Sequence, residues 1–181
     1  AGDELHWFLR LQDIAWVDKV RMTGPPLVHE EGGTGLGEGN PWRFYAYTFL
    51  PRDHHGQEKL PLLLFPHGGV HSHFSSYYLH IVRELLWQGY AVIAADYRGS
   101  TGYGQETWEA IDYGGREIED VHEGRAYMLE NFPFLDGERV GILGWSHGGL
   151  ITLMNLFRYP DDFAVGFAGV PVSDLIMRMG Y

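Results

Sequence analysis

"VGILGWSHGGL", residues 140–150, joins an apolar run to a serine framed by glycines. The run from Val140 to Leu143 is short and continuous, the pattern of a strand buried on both faces. Beyond the serine, "GLITLMNLFRY" at 149–159 carries its apolar residues at helical spacing. A strand therefore hands over to a helix, and Ser146 sits in the turn between them.

The same unit recurs on both sides of this stretch. "LPLLLFP" (60–66) reads as a strand, "YYLHIVRELLWQG" (77–89) as a helix with Ile81, Val82, Leu85 and Leu86 on one face and a closing glycine, and "YAVIAAD" (90–96) as a second buried strand. "REIEDVHEGRAYMLENF" (116–132) is a helix, and "FAVGFAGVP" (163–171) a further strand. Alternating strands and helices predict the α/β class: a mostly parallel, doubly wound sheet with right-handed crossovers and helices on both faces. Residues that carry chemistry then belong at the carboxyl ends of the strands.

Upstream, "WRFYAYTFLP" (42–51) reads as a strand closed by Pro51 and the polar turn "RDHHGQEK" (52–59). Residues 4–20 mix Leu5, Phe8 and Leu9 with charges and are expected to form one or two short amphipathic helices. "EEGGTGLGEG" (30–39) reads as a turn or linker; its glycines fall short of G-x-G-x-x-G and follow no strand, which argues against a dinucleotide site. The expected division is a helical and linker segment at 1–40 and the main domain at 41–181.

Composition narrows the function. A chain of 181 residues with 45% hydrophobic and 15% aromatic residues can bury a full core. Its formal charge of −11 repels phosphate backbones and anionic lipid, so neither nucleic acid nor a membrane surface is expected as a partner. The absence of cysteine removes disulfides, thiolate catalysis and cysteine metal sites. Asp3, Glu4, Arg10, Asp13 and Asp18 interrupt the N-terminal apolar positions, which excludes a signal-peptide core or membrane span there. A soluble protein is expected, with cytoplasmic and periplasmic or secreted locations both open.

Gly144-Trp145-Ser146-His147-Gly148 fits G-x-S-x-G in the strand–turn–helix context that gives this motif meaning. A serine at the tip of such a turn has a strained backbone, and side chains two positions before and after it would strike neighbouring main chain. Glycine at 144 and 148 removes them. The hydroxyl of Ser146 is thereby exposed as a nucleophile, and the helix N-terminus offers free N–H groups to a developing oxyanion. "FPHGGVH" (65–71) follows the first core strand, where a second oxyanion donor belongs. The donors expected are the N–H groups of Gly69 and His147. His67, Gly68, Tyr103 and Trp145 are candidate substrate-site residues, the tyrosine from the loop "DYRGSTGYG" (96–104).

Residues 60–181 resemble the hydrolase domain of the prolyl oligopeptidase family of serine peptidases. The resemblance rests on "HGG" at 67–69, "DYRGSTGYG" at 96–104, "GWSHGG" at 144–149 and "FAVGFAGVPVSD" at 163–174, in order. It implies an α/β-hydrolase fold, Ser146 as nucleophile, and oxyanion donors at His147 and in the "HGG" loop, as in the acylaminoacyl branch. Val70 stands where that branch often has proline. It further implies an acyl-enzyme mechanism without a cofactor, acting on a small peptide near its end. A carboxylesterase acting on small esters is the alternative, since nothing in the residues separates amide from ester cleavage.

The triad of this fold runs Ser, then Asp or Glu, then His. No histidine follows His147, and of the later acids Asp161, Asp162 and Asp174 the last matches a family position other than the triad acid. The triad acid and base are thus not identifiable. Three readings stand: a domain whose acid, histidine and last strands lie on other sequence; a base drawn from His67, His71 or His73; or a non-catalytic interaction module that keeps the hydrolase shell. In the first, the strand at 163–170 lacks a neighbour and exposes an apolar edge, which calls for a complementary C-terminal fragment or a homo-oligomer.

The remaining features have structural readings. Among His54, His55, His67, His71, His73 and His80, the pair His71 and His73 alternates as H-x-H with no carboxylate or cysteine at ligand spacing nearby, so no metal is expected. Glu117, Glu119, Asp120 and Glu123 read as a solvated first-turn face, Arg98 as the partner of a structural acid, and Trp16, Trp42, Trp87 and Trp108 as core.

Overall fold

The computed structural model describes residues 11–27, 42–53 and 59–180. Six strands, β1 (Ala15–Gly24), β2 (Trp42–Pro51), β3 (Leu60–Leu64), β4 (Ala91–Asp96), β5 (Leu135–Trp145) and β6 (Val165–Gly169), form one sheet in the order β1-β2-β4-β3-β5-β6. β4, β3, β5 and β6 run parallel, while β2 lies antiparallel to β4 and β1 antiparallel to β2. All six residues of β4 are buried, as expected of a continuous apolar strand covered on both faces.

The helices are α1 (Leu11–Ile14), α2 (Leu79–Trp87), α3 (Gln105–Glu109), α4 (Arg116–Asn131), α5 (His147–Arg158) and α6 (Leu175–Met179). Two apolar cores result. Ile118, Val121 and Met128 of α4 and Ile151 of α5 pack with Leu62, Leu64, Ile93 and Ile142 on one face. Leu11 of α1 and Val82 and Leu86 of α2 pack with Leu63, Val92 and Phe65 on the other. From β3 the chain crosses to β4 on one side and later returns to β5 on the opposite side, so the strand order reverses there. Such a reversal opens a crevice at the carboxyl ends of β3 and β5.

Two expectations need correction. Residues 15–20 are strand, not helix: β1 pairs with β2 along its whole length, from Ala15 opposite Pro51 to Gly24 opposite Trp42. As an edge strand it buries only Ala15, Met22 and Gly24, so Asp18, Lys19 and Arg21 mask the alternation. Residues 15–24 thus share the sheet of the main domain, and a boundary at 40/41 does not separate them from it. The helix expected at Leu5, Phe8 and Leu9 and the linker at 30–39 lie outside the described residues, as do residues 54–58 of the polar turn. Of the four tryptophans read as core, only Trp42 is buried; Trp16, Trp87 and Trp108 are 59%, 72% and 46% exposed.

β6 ends the sheet, with Val165 and Phe167 exposed along it. Among the described residues no helix is long and apolar enough to cross a membrane.

Candidate active site

Ser146 stands between β5 and α5 with φ 56° and ψ −119°, a positive φ that few residues other than glycine adopt. Both its main-chain groups are tied to the end of β6 and the residues just after it: its N–H donates to the Gly169 carbonyl at 3.0 Å, and its carbonyl accepts from the Val172 N–H at 3.1 Å. The flanking glycines have steric causes. A Cβ on Gly144 would collide with the Gly148 main chain, and one on Gly148 with the carbonyls of Pro66 and His67. Helix α5 therefore starts flush against the loop that follows β3.

That loop reaches the serine. A Cβ on Gly68 would lie 2.9 Å from the Trp145 carbonyl oxygen and 3.7 Å from the Ser146 Cβ. The Gly68 N–H donates to the Tyr78 hydroxyl at 3.2 Å. Gly69 has φ 72°, and among the described residues nothing accepts from its N–H. The His147 N–H is the first of α5 and has no acceptor within the helix. The N–H groups of Gly69 and His147 thus have no protein acceptor among the described residues.

Behind them lie buried imidazoles. His67 is fully buried; its ring stacks on Tyr97 with centroids 4.3 Å apart, Nδ1 lies 3.1 Å from the Gly68 carbonyl oxygen, and Nε2 lies 2.9 Å from the Ser100 hydroxyl. Burial pulls its pKa down to about 4, so the ring is neutral at neutral pH. Tyr97 donates its hydroxyl to the His67 carbonyl at 2.9 Å. The His147 imidazole is buried too, with Nε2 3.3 Å from the Glu117 carboxylate, an ion-pair contact outside hydrogen-bond geometry. Burial alone would raise the pKa of Glu117; the His147 imidazole, the Asp112 carboxyl and the Gly114 N–H outweigh it and hold the group at about 2.

The expected residues are not all brought together. Gly68 is brought against Trp145 and Ser146, with His147 next to the serine in the chain and Gly69 next to Gly68, and the buried His67 ring turns its Nδ1 to the Gly68 carbonyl. Tyr103 instead donates to Asp96 and stacks on Tyr45 at 5.4 Å, in a cluster beneath the Lys19 ammonium. The Trp145 ring packs on Phe65 and Phe167 along the sheet. The histidines offered as an alternative base turn to the 96–104 loop: His67 to Ser100, His71 to the Gly99 carbonyl at 2.9 Å, and His73 to Thr101 at 3.0 Å. His71 also stacks on Trp108. None of the three touches Ser146.

The first-turn acids of α4 are a further correction. Glu117 and Asp120 are fully buried rather than solvated, because α4 turns them toward His147 and Arg98. Arg98, itself buried, forms a fork on Asp120 with bonds of 2.8 and 2.7 Å and reaches the Pro25 carbonyl, consistent with a structural pairing. Glu117 and Asp120 share the helical phase of Val121 and Gly124, both buried, and that phase was the available signal.

Comparison with known proteins establishes the family. Residues 75–181, more than half the chain, match the model of the prolyl oligopeptidase family. The chain belongs to that family. Two similar members are the mouse acylamino-acid-releasing enzyme, 31% identical over 76% of this chain and 19% of its own length, and mouse dipeptidyl peptidase 8, 35% identical over 83% and 17%. A Mycobacterium tuberculosis puromycin-hydrolyzing peptidase superposes with a TM-score of 0.74 at 25% identity, over 90% of this chain and 23% of that one. The fold is accordingly that of the α/β-hydrolases. The chain spans about a fifth of the length of the curated relatives it matches.

Proposed function

We propose that this member of the prolyl oligopeptidase family carries the nucleophile and oxyanion site of a serine peptidase acting near the end of small peptides. The supporting observation is a strained, exposed-turn serine packed against a glycine loop that, like the start of its own helix, carries an N–H without an acceptor. In the proposed reaction Ser146 Oγ attacks the substrate carbonyl carbon while its proton passes to a general base. The carbonyl oxygen becomes an oxyanion held by the N–H groups of Gly69 and His147. Collapse releases the amine, which takes up the proton, and water then hydrolyses the acyl-serine.

The base is proposed to come from another stretch of polypeptide. Supporting this, no histidine follows His147 in the sequence, and the rings of His67, His71 and His73 are engaged elsewhere. The exposed edge of β6, whose end is bonded to Ser146, offers such a stretch a place to dock.

The test is intact mass after exposure to a fluorophosphonate probe, with the protein in its native assembly and Ser146→Ala as control. A single adduct that the control lacks supports the reading. No adduct, or one that survives in the control, overturns it. Parallel assays on a blocked peptide amide and on the matching ester then separate peptidase from esterase.

A further inference from the structure

The Gly68–Gly69 peptide has its two polar ends facing opposite ways, as a trans peptide must. Its carbonyl faces the His67 Nδ1 at 3.1 Å, on the buried side of the loop. Its N–H, that of Gly69, therefore points away from the imidazole. The direction holds only if Nδ1 carries a proton, because a carbonyl oxygen accepts and cannot donate. A neutral imidazole has one proton, so Nε2 must then be an acceptor. Its partner is the hydroxyl of Ser100, fully buried and 2.9 Å away, which is able to donate.

We propose that Ser100 is a positioning residue of the oxyanion site. Its hydroxyl donates to His67 Nε2, keeps the imidazole proton on Nδ1, and through the bond from Nδ1 to the Gly68 carbonyl directs the Gly69 N–H to the reacting oxygen. Tyr97 backs the arrangement, stacking on the imidazole and donating to the His67 carbonyl. The Asp96 carboxylate lies 3.8 Å from His67 Nε2 and is occupied by the Phe74 N–H and the Tyr103 hydroxyl, which leaves Ser100 as the nearer partner of that nitrogen. Without the serine proton, Nε2 would be a buried acceptor with no donor, and the tautomer with the proton on Nε2 would gain ground. In that tautomer Nδ1 faces the Gly68 carbonyl lone pair to lone pair, and the peptide is released to rotate.

The proposal rests on the reading of Gly69 as an oxyanion donor, and two readouts separate the ideas. The first is the imidazole nitrogen correlation spectrum of the full chain, independent of activity. Wild-type protein is expected to show His67 protonated on Nδ1, Ser100→Ala to lose that preference, and Ser100→Thr, which keeps the hydroxyl, to restore it. The second is the rate of fluorophosphonate adduct formation at Ser146, expected to fall on the order of 10- to 100-fold in Ser100→Ala, below the loss of a whole donor, and to recover in Ser100→Thr. A wild-type His67 protonated on Nε2 overturns the proposal by itself, whether or not either variant folds. An unchanged adduct rate in a Ser100→Ala protein whose tautomer has shifted also overturns it. Absence of any wild-type adduct sinks the hydrolase reading, while the tautomer spectrum still decides the role of Ser100 toward His67.

Discussion

The Glu117 carboxylate and the His147 imidazole meet 3.3 Å apart beneath the turn that holds Ser146. The same carboxylate takes the N–H groups of Gly114 and Gly115, so one side chain joins the start of α4 to the start of α5. Glu117→Ala strands two amide donors and a buried imidazole at once. The expected loss is about 3 kcal/mol of stability, from unsatisfied buried polar groups, with slower probe labelling. Glu117→Gln, which keeps an acceptor for the loop, should lose less than half as much in urea denaturation.

Ser146 itself is a strained residue. Glycine is at ease at φ 56° and ψ −119°, so Ser146→Gly is expected to stabilise the fold by about 1 kcal/mol, whereas Ser146→Ala keeps the strain. A Ser146→Gly melting temperature at or below that of Ser146→Ala would count against strain at this position.

Arg98 and Asp120 are both buried and joined by a two-bond fork. Arg98→Met leaves a carboxylate buried without its countercharge, at a cost of about 3–5 kcal/mol. The double variant Arg98→Met with Asp120→Leu should be more stable than Arg98→Met alone. Equal denaturation midpoints for the two would mean that the charge pair is not what the single variant breaks.

His67 sets a pH window. Burial lowers its pKa from 6.5 to about 4, so the unfolded chain binds more protons between those values and stability falls as pH drops through them. The groups around the ring are Asp96, Tyr97, Ser100, His73 and His147. Stability from this group is undiminished above pH 6.5, and the loss reaches about 3 kcal/mol by pH 4. Denaturation of wild type and His67→Gln across this range checks it: the difference in slope should vanish above pH 6.5.

The sheet was legible because β3, β4, β6 and the second half of β5 are short apolar runs, and the elbow because Gly144 and Gly148 have a steric cause that leaves its mark as residue type. β1 was not, since an edge strand buries one side only and its charges imitate an amphipathic helix. Ser146 and the "HGG" loop could be read from motif and context, but Tyr97 and Ser100 could not, and for Glu117 the helical phase carried its burial but not its partner. Each acts from behind the site through contacts set by the packing of two loops or two helices, and no local spacing records the partner. Tyr103 shows the converse: its loop was placed correctly, yet its hydroxyl found Asp96.

The main-chain ties of Ser146 to Gly169 and Val172 make its amide a gauge of the sheet's outermost strand. The proton it donates to Gly169 exchanges with solvent only when that bond opens, so loosening of β6 registers as faster exchange at the serine itself. A single amide signal thus reports, without substrate or probe, whether the rim of the sheet is holding its reactive residue in place.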